Sequence, residues 1–198
     1  RDICFEQPIE DIEVLHDANS TVRVTGLPNG VTYKEAEHKI SGTPYSEGQY
    51  VYTIMATSNF AHACDTLSVT DTITVKPLVT LAAATNANPS TCEGVAMSDI
   101  RINYSNATLN IEWKNDQNVI VDQPADLDTN MTVTSSMIHG IQTTSGTYTI
   151  SGTPATAGIY TYALTATSTM GCEPQILEGT VTVSPQPQLA VTSGNAAQ

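Results

Sequence analysis

Four cysteines, Cys4, Cys64, Cys92 and Cys172, are the residues of this 198-residue chain with the most distinct chemistry. Thiols can bond to one another, hold a metal, or lie inert in a core. No two of these fall within the C-x₂₋₄-C spacing of a zinc site, and His62 beside Cys64 is a single neighbour rather than a ligand set. Four cysteines allow three disulfide connectivities. A second candidate is "DLDTN", which puts Asp126, Asp128 and Asn130 at alternate positions, the spacing by which a loop gathers oxygens around Ca²⁺. The match stops there, because an EF-hand loop would need Gly at 131 and Glu at 137 where the chain has Met131 and Met137. The triplet is therefore read as a solvated acidic loop, with calcium kept as its alternative, and no other cofactor is implied. His16, His38, His62 and His139 sit in unrelated sequence contexts, and G-x-S-x-G, H-E-x-x-H and phosphate-cradling glycine loops are all missing. The reading is that the chain is not an enzyme.

The formal net charge is −13, with 7 Lys plus Arg against 20 Asp plus Glu. Such a surface repels phosphate backbones and anionic headgroups, so nucleic acid and direct membrane insertion are excluded as partners. No run approaches the length of apolar residues needed for a spanning helix, and "RDICFEQPIEDIEV" lacks the basic start and apolar core of a signal peptide. A mature chain, or a piece of a longer one, is expected.

Apolar residues alternate, as in Tyr50, Tyr52, Ile54 and Ala56, and nowhere hold a helical spacing over three turns. An all-β chain follows. Its organisation is written in a repeat: "ISGTPYSEGQYVYTIMATS" (Ile40 to Ser58) returns as "ISGTPATAGIYTYALTATS" (Ile150 to Ser168). Upstream, Cys4 answers to Cys92 and "DIEV" at Asp11 to "DIRI" at Asp99. Downstream, Cys64 answers to Cys172 and "DTITV" at Asp71 to "GTVTV" at Gly179. The change of register places an insertion in the second copy at about 114–146. The expected units are 1–77, 78–186 and a tail, 187–198, that opens a following repeat or linker. Within the phrase, Ser-Gly-Thr-Pro makes a turn, and the long strand that follows turns Tyr50, Tyr52 and Ile54, or Tyr160, Tyr162 and Leu164, toward an opposing sheet. At ten residues that strand spans roughly 33 Å, the height of a sandwich domain.

Pairing within each copy respects both the repeat and the independence of the domains, so Cys4–Cys64 and Cys92–Cys172 are the expected disulfides. Each would contribute about 4 kcal/mol by the chain-entropy estimate. Disulfides point to an oxidising, extracytoplasmic compartment.

"VTGLPNGV" (Val24 to Val31), "ISGTP", the Gly48 to Thr57 strand, Cys64 and "DTITV" together resemble the tandem Ig-like repeats of large secreted and surface proteins of Bacteroidota. The second copy lacks "GLPxGV". The resemblance implies two tandem Ig-like antiparallel β-sandwiches, each with one intradomain disulfide, in an array at the cell surface or secreted. It also implies Thr66 and Thr72 as candidate O-glycosylation sites, each within an Asp-Thr-apolar triplet.

The expected function is therefore a structural repeat module, a stalk, filament or spacer whose partners are neighbouring repeats of the same chain. One alternative is an adhesion or glycan-binding module that meets host or cell-surface glycans or proteins through the insertion loop of the second copy. Another is an accessory domain of an exported enzyme.

Overall fold

The computed structural model of the chain describes residues 1–60 and 66–190. The described residues form sixteen strands and one 3₁₀ turn, Glu35–Glu37. Among the described residues no helix is long and apolar enough to cross a membrane.

The first sandwich holds seven strands. One sheet runs β1 (Asp2–Cys4), β7 (Leu67–Lys76), β6 (Gly48–Ser58), β3 (Ser20–Thr25), and the facing sheet runs β2 (Ile12–Glu13), β5 (Lys39–Gly42), β4 (Val31–Lys34). All pairs are antiparallel except β1 with β7. The inward residues follow from the alternation: Ile12, Val14, Val31, Ile40, Tyr52, Ile73 and Val75 are buried together.

The second sandwich repeats the plan and enlarges it. One sheet runs β12 (Ile120–Val121), β11 (Ala107–Lys114), β15 (Gly158–Ser168), β16 (Gln175–Ser184), β9 (Ser90–Cys92). The other runs β13 (Leu127–Ile138), β14 (Ile141–Gly152), β10 (Ile100–Ser105), β8 (Thr80–Ala83). As β1 does with β7, β9 lies parallel to β16. The core gathers Ile100, Ile102, Trp113, Ile150, Tyr162, Leu164 and Val181, with the Trp113 and Tyr162 rings 5.4 Å apart.

The repeated phrase has the structure its wording suggests. Ile40 and Ile150 are fully buried. Gly42 and Gly152 take φ of +140° and +137°, and a Cβ at either would run into the backbone carbonyl of the facing strand's turn, Gly30 or Asp126. Tyr52 and Tyr162 enter the two cores from equivalent positions on the long strands.

The insertion is not the loop expected of it. In the first sandwich, β4 and β5 are four residues each, joined by the 3₁₀ turn. Their counterparts β13 and β14 are twelve residues each and pair in continuous register from Leu127↔Gly152 to Ile138↔Ile141. Residues 114–146 thus add the short β12 and lengthen an existing hairpin. The physical reason lies in "MTVTSSMI" and "IQTTSGTYTI", runs rich in Thr and β-branched residues that extend a ladder more readily than they form an irregular loop.

The disulfides expected within each copy are also overturned. The structure bonds Cys4 to Cys172, across the two sandwiches, with their Cα atoms 5.9 Å apart, and leaves Cys92 free and exposed. Cys64 lies outside the described residues. The sheet register explains why pairing within a module fails. Cys92 sits beside Ser184, the last residue of β16, whereas Cys172 lies between the end of β15 and the start of β16. A ten-residue strand separates those two ends by roughly 30 Å, against the Cα separation of about 7 Å at which bridging stops. Cys4 is likewise held at the far end of β7, beside Lys76.

Candidate functional site: the junction of the two sandwiches

Cys4, Cys172 and His139 are brought together where the sandwiches meet end to end. On the first sandwich, β1 carries Cys4 to the end of the sheet, and the register Ile3↔Val75↔Gly48 sets the start of β6 at the same end. The loop after Cys4 is pinned by Phe5 N–H donating to the Lys76 carbonyl at 2.9 Å and Glu6 N–H to the Pro44 carbonyl at 3.1 Å. From the second sandwich, the turn before β16 supplies Cys172, and the tip of the β13–β14 hairpin supplies His139 and Gly140.

The hairpin tip is fitted closely. Gln49 N–H donates to the His139 carbonyl at 2.8 Å, the His139 Nδ1 lies 3.4 Å from the Glu47 carbonyl, and the His139 and Tyr50 rings are 6.3 Å apart. Gly48 makes this approach possible, since a Cβ there would sit 2.5 Å from the His139 Cβ. Burial raises the Glu47 carboxyl above the usual carboxylate range. The length of the hairpin therefore has a structural use: it carries one backbone acceptor and one ring to the first sandwich.

The other sequence candidates are dispersed. Asp128 and Asn130 lie along β13, opposite Ser151 and Thr149, with Asp126 in the turn before it at φ +64°. An extended strand spreads alternate side chains about 7 Å apart instead of curling them round an ion, and among the described residues no group of three His, Cys, Asp or Glu could hold a metal. Thr66 is exposed just before β7, and its triplet begins outside the described residues. Thr72 is half-buried within β7, opposite Val51. Its neighbour Asp71 accepts from the Thr72 N–H at 2.7 Å and from the Tyr52 hydroxyl at 3.2 Å, bonds that hold the carboxyl below the usual range, the backbone bond contributing most.

In the second sandwich Gly179 stands in place of Asp71, and the Tyr162 hydroxyl passes over it to donate to the Ala87 carbonyl at 3.0 Å, with burial pushing this phenol up to about 12. Two histidines that looked unrelated in sequence are neighbours: His16 Nε2 and His38 Nδ1 are 2.9 Å apart. Their proximity depends on the pairing of the chain around β2 and β5, with Val14 N–H donating to the His38 carbonyl, and no local motif announces it.

Comparison with known proteins agrees with the sandwich fold. Residues 8–77 match the family model described as "Putative Ig domain". Among solved structures, "Crystal Structure of Rst D1-D2" is similar to the chain with a TM-score of 0.53 at 9% identity, over 94% of this chain and 95% of that one. "Zebrafish RET Cadherin Like Domains 1 to 4" gives a TM-score of 0.38 at 10% identity, and the chain spans 42% of its length. No curated protein matches the chain.

Proposed function

We propose that the chain is a structural repeat module, a pair of Ig-like sandwiches locked end to end as a segment of an extracytoplasmic stalk or spacer, without intrinsic catalysis. The observation that carries this reading is the junction: a disulfide and a docked hairpin tip hold one sandwich on the end of the next. A joint with two separate attachments transmits orientation along a row of modules, and a disulfide suits an oxidising compartment. The neighbours it would serve are further repeats of the same kind. Small-angle scattering tests it: the oxidised chain should give a rod roughly 70 Å long, two sandwiches of about 33 Å each, and a compact or freely hinged pair would overturn the reading.

A second reading, adhesion, is favoured by a particular surface. β13 is an edge strand exposed from Asp128 to Ile138, with Met131, Val133 and Met137 at 54%, 60% and 67% exposure. An unpaired apolar edge is a place where another chain can add a strand. The insertion would then bind through its edge, since its tip is committed to the first sandwich. Binding of host or bacterial glycan and protein arrays that survives Met131→Lys with Val133→Lys would remove this reading. The accessory-domain reading has no such surface in its favour.

A further inference from the structure

We infer that the far end of the second sandwich is a socket for one further module of the same repeat, closed by a disulfide between Cys92 and the cysteine that this module carries in the position of Cys172. The inference rests on the repeat-module reading and names the bond by which the row continues.

The bonded cysteine of the first module supplies the principal observation. Cys4, the repeat equivalent of Cys92, is joined to the cysteine before the last strand of the next module. Cys92 is presented in the same way. It stands beside Ser184 at the end of β16 as Cys4 stands beside Lys76 at the end of β7, each on a strand parallel to its neighbour. Glu93 N–H donates to the Ser184 carbonyl and Gly94 N–H to the Pro154 carbonyl, as Phe5 and Glu6 donate to Lys76 and Pro44. The thiol of Cys92 is free and exposed.

A second, separate feature is the rest of the socket. In the first module the start of β6, Gly48 to Tyr50, receives the incoming hairpin tip. In the second, the register Thr91↔Val183↔Gly158 brings the start of β15 to the same end as Cys92. There Gly158 again lacks a side chain, and the nearest atoms to its missing Cβ belong to the chain's own Tyr160. Ile159 and Val95 are 47% and 48% exposed at this end, apolar surface of the kind a docked module would cover. The bond forms when the two thiols lose two protons and two electrons to a disulfide oxidant such as oxidised glutathione. One Sγ–Sγ bond is made, the oxidant's S–S bond breaks, and the oxidant leaves as two thiols.

The test extends the whole chain. Residues 1–185 are followed by a second copy of residues 78–186, oxidised in a glutathione redox buffer, alkylated without reduction and mapped by peptide mass spectrometry. The expected result is loss of alkylation at the internal Cys92, a linked peptide joining it to the appended copy's counterpart of Cys172, and persistence of the Cys4–Cys172 peptide. In the Cys92→Ser fusion the appended counterpart of Cys172 should become alkylatable. An internal Cys92 that stays alkylatable, or that links to any other thiol, overturns the inference. So does an appended copy that trypsin removes while the first 185 residues survive, since the socket would then not accept this module. Scattering on the same fusion separates the two levels: growth by one sandwich length with Cys92 still free keeps the stalk and removes the disulfide, whereas a compact particle removes the stalk itself.

Discussion

Gly48 and Gly158 occupy the same position of the repeat and should respond differently to the same substitution. Gly48 has φ +140° and faces the His139 Cβ of the other sandwich, so Gly48→Ala should cost about 1–3 kcal/mol and loosen the junction. Gly158 meets only the movable Tyr160 ring at 3.2 Å, and Gly158→Ala should cost distinctly less, a difference that urea unfolding of the two variants measures. Asp71 supplies a prediction about pH. Its folded carboxyl is held below the ordinary value by the Thr72 N–H and the Tyr52 hydroxyl, so its contribution is present above the unfolded value and is lost as pH falls through the lower folded one. Asp71→Asn should therefore match the parent in acid and fall short at neutral pH. Tyr52→Phe, which removes one donor to this carboxyl, should cost about 1 kcal/mol at neutral pH.

At the scale of elements, the β13–β14 hairpin divides into a part that belongs to the second core and a part that reaches outward. Leu127, Tyr148 and Ile150 pack in the core, and Asn106 ties β14 down by accepting from the Thr144 N–H at 3.1 Å. The tip beyond Ser136↔Thr143 serves the junction. Replacing Met137–Gln142 by Asn-Gly, which closes a two-residue hairpin, should leave the melting of the second sandwich nearly unchanged. The Gln49 amide, which loses its acceptor, should exchange with solvent markedly faster, as read by hydrogen–deuterium exchange.

For the whole molecule, the Cys4–Cys172 bond spans 168 residues, and the chain-entropy estimate for such a loop is about 5 kcal/mol. That gain acts on the two-module unit, since each sandwich carries its own core. Cys4→Ser should thus leave both sandwiches folded, make Cys172 alkylatable, and broaden the distribution of particle lengths in scattering. It should lower the stability of the pair by about 2–5 kcal/mol in urea. Retention of a single stiff rod in that variant would assign the joint to the hairpin tip alone.

The amino-acid sequence alone carried the β-sandwich plan, the repeat and the core-facing tyrosines, because alternation and turn chemistry are local and each residue's neighbours along the chain decide its face. It could not determine the disulfide partners. The repeat pointed to pairing within a module, but β1 and β9 run parallel to the last strands of their sandwiches, which sets Cys4 and Cys92 beside the final residues of those strands, a full strand length from where the strands begin. Parallel pairing joins residues distant in sequence and leaves no local signature, and the same holds for His16 beside His38. The insertion was legible as a difference between the copies. Its conversion into a long hairpin with His139 set against Gly48 was decided only in three dimensions, where the second sandwich abuts the first.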